Sequence, residues 1–172
     1  MLLHSLILSF GGIPLLYYGD EIGTTNDLSY LEDPHKADDS RWAHRPKIDW
    51  EKAERRHIEG TVEYAIFNAL KNMIAVSKDI DVFADYNNRK LFEVNNFHLF
   101  VYARYDLHDP DKMVLVVANL DGKPQSLNLK DVGLWPHSQY HRLIDLYTGQ
   151  KPDIFKDTLV VPGFGYYWLT LM

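Results

Sequence analysis

Cysteine is absent from the 172 residues of this chain. Disulfide bonds, thiolate nucleophiles and cysteine-ligated zinc sites are therefore excluded as sources of stability or catalysis. The absence does not identify a cellular compartment, because a secreted protein need not contain cystines. The sequence leaves the localisation unknown and favours the cytoplasm only slightly.

Positive charge is also scarce. The chain carries 18 Lys and Arg residues against 24 Asp and Glu, a formal net charge of -6. Nucleic-acid-binding domains are typically basic, with Lys and Arg clustered on one face. The balance and spread of charge here predict no nucleic-acid partner.

Long apolar runs are missing too. The most apolar stretch is residues 1–16, which His4, Gly11, Gly12 and Pro14 interrupt. A membrane-spanning helix needs about 18 or more consecutive apolar residues, and a signal peptide needs a basic start and a small-residue cleavage site. We therefore expect no membrane association, and we expect this stretch to lie in a buried core.

Motifs for several reaction classes are absent as well. No Ser-His-Asp arrangement, phosphate-binding loop or dinucleotide fingerprint occurs. Among the eight histidines, His137 and His141 are four residues apart, a spacing that binds metal only on a helix, and the preceding Pro136 argues against one. The sequence predicts no metal site and no cofactor.

What is present is ordinary globular composition, with 46% hydrophobic and 24% charged residues. A chain of this length buries about 70% of its unfolded surface and can form a real core. It is nevertheless too short for a complete (β/α)₈ barrel, which takes roughly 250 residues.

The first half of the chain has the character of an α/β fold. Residues 2–10 predict a buried helix ended by Gly11-Gly12, and residues 13–18 predict a strand covered on both faces, as in a parallel sheet. Polar residues 22–59 predict a long functional loop. Thr61 is a predicted N-cap for an amphipathic helix that ends near Lys78.

After Asp85 the hydrophobic period changes from helical to alternating. Turn-forming residues separate short strands, which predicts an antiparallel β-sandwich. We therefore predict an α/β plus all-β chain with a domain boundary at this point: residues 1–85 and residues 86–172. The predicted strands are residues 91–95, 98–105, 113–119, 125–129, 141–146, 159–161 and 166–171.

Asp20 and Glu21 are candidate site residues at the end of the predicted strand. Cleavage of a glycosidic bond usually needs two carboxyl groups on either side of the bond. Consecutive strand residues point to opposite faces, so the two are not expected to reach one sugar together. We expect one to line a pocket and the other to fix the loop, and the pattern favours a structural over a catalytic role.

Arg41 and Trp42 are the second pair of candidates. A guanidinium can hold a carboxylate in a fixed bidentate geometry, which suits the wall of a sugar pocket, and the indole of Trp42 can stack on a sugar ring. The neighbouring Asp38 and Asp39 are expected to be held by Arg41. Spacing alone favours the simpler alternative, a solvated loop with surface ion pairs.

Two segments carry a family resemblance. Residues 12–21, Gly-Ile-Pro-Leu-Leu-Tyr-Tyr-Gly-Asp-Glu, resemble the segment around the eighth barrel strand of the α-amylase superfamily, glycoside hydrolase family 13. Residues 38–46, Asp-Asp-Ser-Arg-Trp-Ala-His-Arg-Pro, followed by Asp49-Trp50, are most similar to amylosucrases and sucrose hydrolases. The resemblance is strong over residues 2–76 and weaker through the predicted sandwich.

This resemblance implies the last helix, strand and helix of a (β/α)₈ barrel, followed by a C-terminal sandwich. The family's aspartate nucleophile, glutamate acid/base and stabilising aspartate lie on earlier strands and match no residue here, so no catalytic residue is assigned. Arg41 matches the amylosucrase arginine that closes the pocket by pairing with an upstream aspartate. Asp20 and Glu21 match family residues at the pocket end of the eighth strand.

The function that the resemblance implies is retaining glucosyl transfer from sucrose to an α-glucan or to water, carried out by a longer enzyme. The chain alone is expected to be inactive and, with apolar barrel faces uncovered, to self-associate. The alternatives are a stand-alone carbohydrate-binding or structural β-sandwich module, and a longer enzyme of the trehalose synthase or oligosaccharide α-glucosidase type.

Overall fold

The computed structural model describes all 172 residues, which form two compact units. The first unit combines Met1–Pro14 with Met73–Met172, and the second is Leu15–Asn72. The boundary predicted at Asp85 lies within the first unit. That prediction concerns the domains of a longer enzyme, which the division of this chain does not test, and it stays a prediction.

Eight strands in the first unit form two sheets in which every strand pairing is antiparallel. The strands are β1 (Arg89–Leu91), β2 (Leu99–Tyr105), β3 (Met113–Asn119), β4 (Gln125–Asn128), β5 (Leu143–Asp145), β6 (Ile154–Phe155), β7 (Thr158–Val161) and β8 (Tyr166–Leu171). One sheet has five strands in the order β1-β2-β3-β8-β5, and the other has three in the order β4-β7-β6.

The two sheets share one hydrophobic core. Alternation along the strands places Val101, Leu115 and Leu169 of the five-stranded sheet in a single buried cluster with Leu127 and Leu159 of the three-stranded sheet. This arrangement agrees with the antiparallel sandwich predicted from the alternating pattern.

The other face of the five-stranded sheet is also covered. Tyr102, Val116 and Trp168 pack in a second cluster with Leu8 of helix α1 (Leu2–Ser9) and with Phe83. The rings of Phe83 and Trp168 meet edge to face with centroids 5.1 Å apart. Burial on both faces explains why β3 is an almost uninterrupted apolar run.

Arg104 lies fully buried within β2. Its guanidinium donates to the backbone carbonyls of Ser9 and Asp85, and its Nε donates to the Asn88 side chain at 3.0 Å. A Cβ at Gly11 would lie 2.9 Å from the guanidinium, so only glycine fits there. Burial lowers the pKa of Arg104. The arginine thus joins the end of α1 to the sheet.

The second unit is largely irregular, as the polar composition of residues 22–59 predicts. Its regular elements are helix α2 (Trp50–Glu54) and 3₁₀ turns at Asp20–Ile22, Ser29–Glu32, Ser40–His44 and Arg55–His57. Helix α3 (Val62–Lys78) begins in this unit and ends in the first. Thr61 Oγ1 accepts a hydrogen bond from the Tyr64 N–H at 3.2 Å, which confirms the predicted N-cap.

The strand predicted at residues 13–18 does not form. The segment belongs to neither sheet, and Ile13 and Leu15 are 97% and 81% exposed. A parallel strand is stable only between neighbouring strands, and this chain supplies none beside it. The eighth barrel strand implied by the family resemblance therefore stays a prediction about a longer enzyme.

Smaller differences fall at sheet edges. β1 begins two residues before the predicted strand at 91–95 and already ends at Leu91. β5 is half as long as predicted because a 3₁₀ helix, His137–Arg142, occupies the preceding residues. β6 was not predicted, since two residues carry no alternating pattern. Helix α4 (Leu129–Val132) follows β4. None of the helices combines the length and apolar character needed to cross a membrane.

Candidate functional site

Asp20 and Glu21 lie in a tight turn rather than at the end of a strand. Asp20 Oδ2 accepts a hydrogen bond from the Tyr17 N–H at 3.2 Å, and Glu21 Oε2 accepts one from the Gly19 N–H at 2.8 Å. Gly19 has φ +92°, and a Cβ there would lie 2.6 Å from Thr24 Oγ1. Both carboxylates therefore hold the turn. The expectation that they point to opposite faces of a strand is wrong, because no strand is present.

A small cavity of about 140 Å³ lies beside Asp20. Two contacts link the segments around it: the Tyr18 hydroxyl donates to the Pro46 carbonyl at 3.2 Å, and His44 Nδ1 lies 3.1 Å from Asn26 Oδ1. The cavity is lined by Tyr17, Tyr18, Asp20, Thr24, Thr25, Asn26, His44 and Pro46.

Arg41 is paired with Asp39. Its Nε donates to Asp39 Oδ1 at 2.8 Å and its Nη2 donates to Oδ2 at 2.9 Å. The same carboxylate caps the 3₁₀ turn Ser40–His44 by accepting from the Arg41 N–H at 3.0 Å. These hydrogen bonds lower the pKa of Asp39 and raise that of Arg41. Of the two neighbouring aspartates, Asp39 is therefore the one held by the arginine.

Two cations lie close to the indole of Trp42. Lys36 Nζ is 5.1 Å and the Arg45 guanidinium carbon 5.7 Å from the centroid of the indole. Such contacts stabilise a cation over an aromatic face and orient both partners. The tryptophan lines a cavity of about 460 Å³, together with Asp27, Ser29, Tyr30, Asp33, Lys36, Arg45, Pro46 and Lys47.

Two carboxylates give this larger cavity a mixed charge. A hydrogen bond from Ser29 lowers the pKa of Asp27, and the His35 N–H, followed by Lys36, lowers that of Asp33. Lys36 Nζ lies 3.2 Å from Asp33 Oδ2. The cavity thus presents carboxylates, cations and aromatic rings, the groups that bind hydroxyl-rich ligands.

The four predicted site residues are only partly brought together. Asp20 and Trp42 line different cavities that share Pro46 as a wall, and Arg41 and Glu21 line neither of these two. The sequence reasoning missed Tyr30 and Arg45 as lining residues. Arg45 belongs to the segment of residues 38–46 that carries the family resemblance, but its spacing from the other residues does not indicate that it lines a cavity.

Metal ligands do not converge in this chain. The structure brings together no group of three or more His, Asp or Glu side chains that could hold a metal ion.

Comparison with curated proteins identifies a relative of known activity. The chain is 28% identical over 198 aligned residues to the trehalose synthase/amylase TreS of two Mycobacterium tuberculosis strains. The alignment covers 99% of this chain but 31% of the relative, so the chain spans about a third of its length. No family model matches the sequence.

Solved structures share the fold. A pullulanase from Anoxybacillus sp. complexed with maltotriose matches with TM-score 0.64 and 16% identity over 99% of this chain and 22% of its own. A variant of AmyP in complex with maltotriose matches with TM-score 0.65 and 14% identity, over 98% of this chain and 34% of AmyP. A variant pullulanase from Paenibacillus barengoltzii complexed with maltotriose matches with TM-score 0.65 and 20% identity, over 99% of this chain and 25% of the pullulanase.

These three are α-amylase-family enzymes, and at such identities they establish the likeness of fold. The identity with TreS extends over nearly the whole chain. The chain is thus similar in sequence to TreS over nearly its whole length and similar in fold to the portions of these α-amylase-family enzymes that it covers.

Proposed function

We propose that this chain is the C-terminal part of a longer α-amylase-family carbohydrate-active enzyme. In that enzyme it supplies the end of the (β/α)₈ barrel and the β-sandwich that follows. The observation that carries the proposal is the 28% identity to TreS over 99% of the chain, within a relative about three times as long.

The chemistry of that enzyme is retaining glucosyl transfer. A carboxylate displaces the leaving group to form a β-glucosyl-enzyme, and an acceptor hydroxyl or water then attacks it, aided by the acid/base carboxyl. The carboxylates that the family resemblance implies for these steps match no residue of this chain. Asp20 and Glu21 are engaged with backbone N–H groups of their own turn, which supports a structural role. The 172 residues alone are therefore inactive.

The contribution of this region is pocket architecture. Arg41, Asp20, Glu21 and Trp42 are proposed to bind or frame the substrate. Arg41 supports this because its side chain is 74% exposed while one carboxylate, that of Asp39, fixes the orientation of its guanidinium. A planar, pre-oriented fork can bind a further acceptor at low entropic cost.

An α-glucan is the proposed substrate class. Support comes from the related pullulanase and AmyP structures, which hold maltotriose. The mixture of aromatic, cationic and carboxylate groups around Trp42 is suited to the apolar faces and hydroxyls of such a sugar.

The donor specificity has two candidates. The Arg41-Trp42-Ala43-His44-Arg45-Pro46 string supports an amylosucrase-like enzyme that splits sucrose. The homology to TreS supports, equally, an enzyme that acts as a trehalose synthase.

The native protein can be tested directly. An antibody raised against this chain should detect in source cells a polypeptide about three times as long, as in the relative. That protein, captured on the antibody, is incubated separately with sucrose and with maltose, and the products are separated by chromatography. Fructose release with glucan growth indicates the amylosucrase-like enzyme, and trehalose from maltose indicates the synthase.

The purified 172-residue chain is the matched control and should release no sugar from either substrate. A native product of only 20 kDa with no turnover would overturn the enzyme proposal in favour of a binding or structural module. Sucrose cleavage by the 172-residue chain, lost on Arg41→Ala, would overturn the assignment of catalysis to residues outside it.

A further inference from the structure

A polar cleft of about 290 Å³ lies in the β-sandwich, where the loop between β1 and β2 meets β4. β4 is an edge strand that pairs with β7 on one side only. No lining residue of the cleft precedes Val94, so the cleft is built from the sandwich alone and neither α1 nor the second unit contributes to it. It is therefore distinct from the two cavities of the candidate site.

Asn96 fixes one wall of the cleft. Its Nδ2 group donates to the Ser126 carbonyl at 3.2 Å and to Gln125 Oε1 at 3.1 Å, and both partners belong to β4. Its Oδ1 accepts from the His98 N–H at 3.1 Å. The asparagine thus closes the β1–β2 loop on itself and holds the loop against the edge of β4.

The short helix α4 and the turn between β6 and β7 are fixed in a similar way. Asn128 Oδ1 caps α4 by accepting from the Lys130 N–H at 3.1 Å. Lys130 Nζ lies 2.5 Å from Asp157 Oδ2 and so joins α4 to the turn. Asp131 and Thr158, which follow Lys130 and Asp157 in the chain, line the cleft. The cleft is therefore held in shape from both sides without a ligand.

Four polar side chains of the lining make no hydrogen bond within the chain: Asn95, Ser126, Asp131 and Thr158. They offer an amide, two hydroxyls and a carboxylate, which together can donate to and accept from a ligand. The buried Leu127 adds an apolar contribution to the lining. The cleft thus presents unused hydrogen-bonding groups on a fixed frame.

The charge of the lining narrows the class of ligand. Asp131 is its only charged residue, and it contains no Lys, Arg or His. Phosphate and carboxylate ligands are held mainly by such cations, so an anionic ligand is disfavoured. A calcium site usually draws on several carboxylates, and the chain brings no three His, Asp or Glu side chains together. A neutral ligand rich in hydroxyl groups fits the lining best.

We propose that this cleft binds one glucosyl unit of an α-glucan chain, whose hydroxyls are held by the four free side chains. A volume near the lower end of the range for small-ligand sites suits a single ring. The choice of an α-glucan rests on the proposed function, whereas the choice of a neutral sugar rests on the lining groups. A glucan held here stays close to the enzyme, which raises its effective concentration at the catalytic site.

Binding is tested on the 172-residue chain by saturation-transfer NMR, which detects weakly bound sugars. The chain is titrated with maltotriose and, separately, with glucose 6-phosphate as the anionic control. The key variant combines Asn95→Ala with Asp131→Ala. The matched control combines Asn87→Ala with Asp153→Ala, since these residues are of the same types and equally classed as exposed but lie outside the cleft. Circular dichroism and the melting temperature verify that both variants keep the fold.

We expect saturable binding of maltotriose in the millimolar range. The key variant should weaken it about tenfold, because two hydrogen bonds of ordinary strength together correspond to about that change in affinity. The control variant should stay within about twofold of the wild type. Glucose 6-phosphate should bind more weakly than maltotriose, since no cation lines the cleft.

No saturable binding of maltotriose by the wild-type chain, or equal affinity in the key variant and the wild type, would overturn the proposed site. Tighter binding of glucose 6-phosphate than of maltotriose would overturn the choice of a neutral sugar. None of these outcomes touches the proposed enzyme function, which the product assay on the native protein decides independently.

Discussion

The guanidinium of Arg41 is held by the carboxylate of Asp39, two residues earlier in the same loop, through two hydrogen bonds of 2.8 and 2.9 Å. The family resemblance implies a different partner for this arginine, an aspartate from outside this chain. Asp39 thus holds the planar guanidinium of Arg41 in one orientation. In a longer enzyme, an incoming carboxylate would either replace Asp39 or share the guanidinium with it.

The pair should open at acid pH. The pKa of Asp39 is lowered in the folded chain, chiefly by the hydrogen bond from Arg41, relative to about 3.9 in an unfolded chain. The pair is therefore fully formed above the unfolded pKa and is lost as the pH falls through the lower, folded value. The Arg41 Nε–H should exchange more slowly in the wild type than in Asp39→Asn at neutral pH, as followed by NMR, and this protection should be lost as the pH falls below the unfolded value of about 3.9.

Asp39→Asn should show the fast exchange at every pH, since an amide cannot accept both guanidinium hydrogen bonds as a carboxylate does. Asp38→Asn, at the neighbouring exposed position, should behave as the wild type. Equal exchange rates in the two variants would contradict the assignment of Asp39 as the partner.

Arg104→Lys should strongly destabilise the first unit. The buried guanidinium satisfies carbonyls of Ser9 and Asp85 and the side chain of Asn88, which a single ammonium cannot reach together. We expect the free energy of unfolding, measured in urea, to fall by about 3 kcal/mol. Each hydrogen bond to a charged group contributes about 1.5 to 3 kcal/mol to stability. Lys90→Ala, on the exposed side of β1, should stay within about 0.5 kcal/mol. A loss below 1 kcal/mol in Arg104→Lys would show that lysine and water replace the contacts.

Tyr102 should make the chain sensitive to alkali. Burial raises the pKa of its phenol to about 12, and the hydroxyl lies 2.7 Å from Ser9 Oγ. In an unfolded chain the pKa is about 10. The contribution of Tyr102 to the free energy of unfolding is therefore fully present below pH 10. It is lost as the pH rises from 10 towards 12, at about 1.4 kcal/mol per pH unit.

Tyr102→Phe removes this titration and should lose less stability between pH 7 and pH 11.5, by roughly 2 kcal/mol. Its free energy of unfolding at pH 7 should be about 1 kcal/mol below the wild type, for the lost hydrogen bond. Urea unfolding at pH 7, 10 and 11.5 measures both values. Parallel losses in the two proteins would show that other tyrosines, such as Tyr166, account for the effect.

The sequence predicts best where its signal is local and repeated. β3 and β8 lie at the predicted bounds, because alternation and turn residues on both sides define each strand. The cap at Thr61 is likewise set by one side chain and the turn that follows it. Elements of two or three residues, such as β6, carry too few positions for a periodic pattern.

The sequence predicts less well where structure depends on distant partners. Residues 13–18 have the composition of a buried strand, yet without neighbouring strands they remain outside both sheets. The site residues show the same limit. The Arg41–Asp39 pair follows from adjacency, whereas the cavity shared by Tyr30, Trp42 and Arg45 depends on how an irregular loop folds back on itself. The spacing of residues along the sequence does not predict the path of such a loop.

The exposed segment at residues 13–18 should promote self-association. Ile13 and Leu15 present nearly their whole side chains to water, and contiguous apolar patches of this kind are rare on monomeric proteins. Sedimentation velocity should show the wild-type chain as concentration-dependent oligomers, and the variant Ile13→Ser with Leu15→Ser as mainly monomer. Leu107→Ser, which alters another exposed leucine, at 68%, in the β2–β3 loop, is the control and should sediment as the wild type. A monodisperse wild-type monomer that binds no apolar dye would contradict the prediction, since the exposed side chains would then remain in water without a second copy to cover them.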